Sequence, residues 1–210
     1  MGKCALRYFG DLFKDMKIVL ASKSPRRKEI LSSLGLTFDI IVADADERSD
    51  ELDPKKRVAE LAAIKGRAVS GTLSDQKDTL IIASDTLVFA CSEFLGKPKD
   101  KEDARRMIKL LSGREHLVVS GLYLSYNGKE AFCADETKVI FDKMTASEIE
   151  SYIDSDEPYD KAGGYAVQGL ASLYIRGLEG DYFNVVGLPV NLLYKTLKNE
   201  FDINLNDLRG

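Results

Sequence analysis

Apolar positions along the chain fall into short continuous runs separated by helical stripes. Lys17-Ile18-Val19-Leu20-Ala21 is a short run that predicts a buried strand. Pro25 to Leu34 predicts a helix closed by Gly35, with Ser24 at the N-cap position and Pro25 as the first helical residue. Phe38 to Val42 predicts a second strand. From Pro54 to Val69, apolar residues recur at helical spacing at Val58, Leu61, Ala62, Ala68 and Val69. The stretch Thr79 to Cys91, TLIIASDTLVFAC, is apolar except at its centre. Asp100 to Leu111 predicts a helix. His116 to Tyr126 and Glu130 to Phe141 predict strands, and the Asn127-Gly128 dipeptide between them is a hairpin turn. Ala146 to Ile153 predicts a short helix and Gly163-Gly164 a loop, with apolar strands following to about Val186. Leu188 to Asn199 predicts the last helix. Strands joined partly by hairpins and partly by helices imply an α/β fold with a mixed sheet. No repeat, low-complexity run or linker marks a domain boundary.

Composition narrows the function. A length of 210 residues suffices for a substantial core. The net charge of -4 disfavours a nucleic-acid polymer as the main partner, because such binding needs clustered Lys and Arg. Cys4, Cys91 and Cys133 have neither disulfide-framework nor zinc spacing, so a reducing, cytoplasmic setting is expected. His116 is the single histidine. It stands in the polar segment SGREH without a Ser or Cys nucleophile motif and reads as structural. No apolar stretch reaches membrane-spanning length, and no membrane partner is expected. The first residues, MGKCALRYFGDLFKDM, carry charges throughout and lack a signal-peptide core. Leu6 stands where a Gly2 myristoylation motif wants Ser or Thr. Residues 1–16 therefore read as an N-terminal extension and 17–210 as a single domain. Neither a P-loop nor a dinucleotide-binding glycine motif occurs.

Candidate chemistry begins at the first helix. Arg26, Arg27 and Lys28 follow Pro25, so three cations crowd a helix N-terminus that already carries partial positive charge. An anion resolves that conflict: a phosphate there meets free backbone N–H groups, the Ser22 and Ser24 hydroxyls and guanidinium forks. The alternative is a capped helix with a solvated basic face. Asp85 is the second feature, since a carboxylate inside an apolar run is costly unless paired, hydrogen-bonded or metal-bound. If TLIIA is a central strand, Asp85 lies at its C-terminal end, where α/β sheets bind ligands. The alternative is a turn Asp between two strands, which the Ser-Asp-Thr sequence also suits. A carboxylate from the acidic segment around Asp44, Asp46 and Glu47 can join Asp85 on a hard cation; Mg²⁺ needs only one or two carboxylates besides phosphate and water. Gly96-Lys97-Pro98 is a turn that presents a lysine. In DKAGGYAVQG, from Asp160, two glycines permit close backbone approach, and the amide of Gln168 suits a nucleobase edge or a hydrogen bond in the core.

The ordered segments IVLASKSPRRKEIL, IIASDTLVF, GKPKDKEDARRM, LSGREHLVVSG, EPYDKAGGYAVQG and NVVGLP resemble the Maf-like nucleotide pyrophosphatases, also called septum-formation inhibitor proteins. They run from Ile18 to the final helix. The resemblance implies an inosine-triphosphatase-like fold: an elongated mixed β-sheet with flanking helices and a cleft between two lobes. It implies hydrolysis of nucleoside triphosphates at the α–β bond with a divalent cation, Mg²⁺ or Mn²⁺. It assigns Asp85 as proton acceptor for water and places Ser22, Arg26, Arg27, Glu47, Lys97 and Gln168 around the site, with Glu47 and Asp85 holding the metal. Arg26, Thr86 and Gln168 match the branch that prefers dTTP and UTP. Ser84 and Gly96 depart from residues common in relatives, Ala and Glu, and neither change removes a reactive group. A homodimer is the candidate assembly. The rival reading is a non-catalytic nucleotide sensor that regulates division; it needs the cations but not Asp85.

Overall fold

A computed structural model describes residues 16–209. The extension read over residues 1–16 lies outside the described residues, except for Met16. A seven-stranded sheet has the order β2-β1-β3-β5-β6-β7, with β4 on the far end of β3. The strands are β1 (Lys17–Leu20), β2 (Asp39–Ile40), β3 (Thr79–Ala90), β4 (Glu93–Leu95), β5 (Glu115–Tyr126), β6 (Lys129–Phe141) and β7 (Ile175–Glu179). β1 runs parallel to β2 and β3, and the remaining pairs are antiparallel. The mixed sheet is thus as expected. Asn127 and Gly128, at φ +48° and +80°, make the β5–β6 turn whose backbone their residue types favour.

Side-chain alternation divides the core. Ile18, Leu20, Leu80 and Ile82 face one layer with α1 (Pro25–Ser33) and α6 (Val190–Phe201). Val19, Ala21, Ile81 and Ala83 face the other, against α2 (Pro54–Ser70). A separate cluster gathers Val88, Ala90 and Val118 with α3 (Lys101–Leu111) and α4 (Ala146–Ile153). β3 and β5, each 12 residues long, therefore pass from one lobe into the other. α2 sits unusually close to the sheet. A Cβ on Gly121 of β5 would lie 2.0 Å from the Val58 carbonyl oxygen, and one on Gly66 of α2 would lie 2.0 Å from the Tyr123 ring. Missing side chains at these two positions set the depth and register of α2.

Two expectations fail. Asp85 is neither at a strand end nor in a turn: β3 continues through it, paired Asp85↔Gly121 with β5. The reason is that β5 supplies an unbroken antiparallel partner from Leu80 to Phe89, which overrides the turn preference of Ser-Asp-Thr. The stretch from Gly164 to Val186 is not a run of strands. It folds as single-turn 3-10 segments, the short β7, and α5 (Tyr182–Val186) capped by Asp181. Gly163 and Gly164 at φ +69° and +72°, and the Asp181 cap on the Phe183 N–H, break the apolar pattern into turns.

Candidate active site at the open edge of β3

The site arises from a gap in strand pairing. β1 accompanies β3 only to Ile82, and β4 joins it only from Val88. Between them, residues 83–87 have a free edge, and a cleft of about 790 Å³ opens there. Ser22, Arg26, Arg27, Glu47, Asp85, Thr86, Lys97 and Gln168 all line this one cleft. Consecutive residues Asp85 and Thr86 point to opposite faces of the sheet, so the cleft wraps around the strand edge and presents two different surfaces.

On the α1 face, Arg27 is held from three sides. Its Nε donates to the Gly187 carbonyl at 2.9 Å, its Nη1 to Ser22 Oγ at 3.1 Å and its Nη2 to Thr86 Oγ1 at 3.2 Å. Thr86 in turn bonds Ser120 Oγ at 2.8 Å, and the Ser120 hydroxyl reaches the backbone oxygen of the buried Asn184 at 2.8 Å. Ser84, also on this face, donates to the same Gly187 carbonyl at 3.0 Å. Burial pushes the Arg27 guanidinium below its ordinary pKa, opposed mainly by the charge of Asp85. The helix N-terminus beside it is bare. Ser24 occupies the N-cap position but its side chain caps nothing, and no acidic residue lies in the first turn of α1. A half-buried guanidinium, the buried Ser22 and an uncapped helix end present donors suited to an anion. Arg26 is looser, 3.9 Å from Asp160 at the rim.

On the α2 face, Lys65 bridges two carboxylates. Its ammonium contacts Asp85 Oδ1 and lies 3.0 Å from Glu47 Oε2. The Asp85 and Lys65 side chains are 14% and 20% exposed, against 53% for Glu47, so the acidic loop brings its carboxylate in from solvent to a withdrawn pair. Of the neighbouring acids, Asp46 instead pairs with Arg48 at 3.0 Å. Sequence reasoning missed Lys65. Its signal was available: Lys65 falls three and seven residues after Ala62 and Val58, on the apolar stripe itself, where a lysine is misplaced unless it serves a buried partner.

Lys97 and Gln168 are both exposed to the cleft, so the core role weighed for Gln168 is excluded. His116 stays out of the cleft. It is buried in the far lobe, 2.6 Å from the Tyr165 hydroxyl, and burial pushes its pKa down to about 4.

The model of the family described as "Maf-like protein" matches residues 17–200. The chain belongs to the Maf-like family. A relative from Thermoanaerobacter sp. (strain X514), named dTTP/UTP pyrophosphatase, is 46% identical over 90% of this chain and 100% of its own length. Another of that name, from Thermosipho africanus, is 41% identical over 87% of this chain and 92% of its own. Among solved structures, the Ham1 protein of Staphylococcus aureus superposes with a TM-score of 0.53 at 14% identity, covering 88% of this chain and 99% of that one. That likeness concerns the fold alone, and it accords with the inosine-triphosphatase-like architecture expected of a Maf-like chain. No helix among the described residues is long and apolar enough to cross a membrane.

Proposed function

We propose that this Maf-like protein is a cytoplasmic nucleoside triphosphate pyrophosphatase that converts dTTP and UTP, and modified pyrimidine relatives of them, to the monophosphate and pyrophosphate. The observation that carries the reading is the placement of a carboxylate and an anion cradle on the two sides of one strand edge. The names of its relatives support the same substrate class.

Arg27, Ser22 and the α1 N-terminus bind the phosphate chain, with Arg26 and Lys97 adding charge from the rim. Asp85 takes a proton from water as the water oxygen attacks the α-phosphorus. The α–β bridging bond breaks, and pyrophosphate leaves with the bond's electron pair. Gln168 faces the base. The donor set suits a hard divalent cation: Glu47 and Asp85 already converge on one positive group, the Lys65 ammonium. No cluster of three or more potential ligand residues exists among the described residues, so Mg²⁺ or Mn²⁺ would complete its shell with substrate and water oxygens. When bound, it supplies Lewis-acid polarisation of the phosphoryl oxygens.

The test is Asp85→Asn, assayed with UTP and dTTP with separation of products. Pyrophosphate release falls by about 10²–10⁴-fold, the usual contribution of a positioned base, while nucleotide binding persists. A folded Asp85→Asn protein with undiminished turnover sinks the reading, as does wild-type release of diphosphate and orthophosphate. A protein that binds but never turns over nucleotide would instead be the regulatory sensor.

A further inference from the structure

Glu157 lies outside the cleft lining, yet its carboxylate accepts from the backbone immediately beyond the cleft residue Gln168. Its Oε2 accepts the Leu170 N–H at 2.6 Å, and its Oε1 accepts the Ala171 N–H at 3.1 Å. The hydroxyl of the buried Tyr152 stands 2.9 Å from Oε1 and 3.2 Å from the Gly164 carbonyl, two acceptors for its one proton. A Cβ on Gly169 would fall 2.1 Å from Oε2. Gly169 is extended, at φ -144°, so its backbone does not require glycine; the approach of the carboxylate does. On the other side of Gln168, Val167 packs against the α1/α6 core. Gln168 is therefore an exposed side chain on a backbone pinned at both flanks.

We infer that Glu157 is a positioning residue for base recognition: by clamping the backbone at 169–171 it holds the Gln168 amide at the height of the nucleobase. The inference rests on the reading of the cleft as a nucleoside triphosphate site. It adds a determinant of base preference that never touches the base. The carboxylate is suited to this because it accepts from two adjacent N–H groups that would otherwise be the unsatisfied start of the turn at Leu170–Tyr174. An amide in its place must turn an NH₂ toward one of those donors.

Glu157→Gln, Gly169→Ala, Gln168→Ala and the Glu157→Gln/Gln168→Ala double variant are compared with wild type on UTP and on ribose 5-triphosphate, which has no base. Glu157→Gln and Gly169→Ala each lower kcat/KM for UTP about tenfold, mainly through KM, the scale of one or two lost hydrogen bonds. Turnover of ribose 5-triphosphate changes less than about threefold, and Glu157→Gln adds nothing once Gln168 is Ala. If Glu157→Gln does not fold, Gly169→Ala carries the test. Equal losses on both substrates, full additivity with Gln168→Ala, or unchanged UTP kinetics overturn the inference. Wild-type protein inert toward UTP overturns instead the reading on which it rests.

Discussion

The two faces of β3 at the cleft are built on opposite plans. Around Thr86, each polar group is tied to another: Arg27 to three acceptors, Thr86 to Ser120, Ser120 to Asn184. Around Asp85, two carboxylates converge on one ammonium, and one of them, Glu47, comes from an exposed loop side chain. The first plan makes a fixed receptor, in which donors are aimed before the ligand arrives. On the proposed function, the second would leave its charges free to regroup around phosphate and cation. Binding and bond-breaking would, on that function, fall to different sides of the same strand.

The sharpest way to break this division is to disable one charged side chain on each face. Lys65→Met leaves two carboxylates without their shared cation and lowers kcat by about 10²-fold, the scale of losing one preorganised electrostatic partner at a reacting centre. Arg27→Lys keeps the charge but loses the fork, and raises KM about tenfold with kcat nearly unchanged. Steady-state kinetics with UTP separate the two. Identical kcat and KM effects from both variants would end the distinction.

Moving a whole face is the next test. Gly66→Ala forces a methyl into the Tyr123 ring at 2.0 Å, lifting α2 and with it Lys65. We expect a loss of about 1–3 kcal/mol in chemical denaturation, together with reduced turnover. Acid sensitivity then needs its own control. The pKa of His116 is about 4 in the fold, below its unfolded value, so the unfolded chain binds the extra proton between pH 4 and about 6.5. Its contribution is intact above pH 6.5 and declines as pH falls, reaching a loss of about 2 kcal/mol at pH 5. His116→Phe flattens that slope in denaturation curves, while any acid loss of activity that survives the substitution belongs to the cleft. The smallest effect is Thr86→Val, about 1 kcal/mol in stability from the missing hydroxyl, read from the denaturation midpoint.

How much of this was legible in the sequence depends on whether the signal was local. The β5–β6 hairpin, the start of α1 at Pro25 and the misplaced cations at Arg26 and Arg27 follow from residue type and spacing over a few positions. Asp85 stood out for the same reason, but its setting did not: only the pairing with β5 turns Ser-Asp-Thr into the middle of a strand. Lys65 was visible as a lysine on an apolar stripe, but its role was not, because its partners, Glu47 and Asp85, are distant in sequence and meet only when α2 seats on Gly121. The Glu157 clamp was hidden likewise, since Gly169 reads as a loop glycine until the carboxylate beside it is seen. The segment before α5 misled because apolar composition alone does not distinguish turns from strands.

The continuity of β3 and β5 through both lobes has a mechanical consequence. Each strand runs for 12 residues, and the two pair without a break from Leu80 to Phe89, so the lobes share a spine rather than a joint. Closing one half on the other would have to bend that continuous pair of strands. The mouth of the cleft is framed by the acidic loop with Glu47 on one side and the Lys161–Gln168 stretch on the other. Opening and closing of the cleft would then have to come from the acidic loop, while the lobes and the clamped Gln168 stretch serve as an anvil.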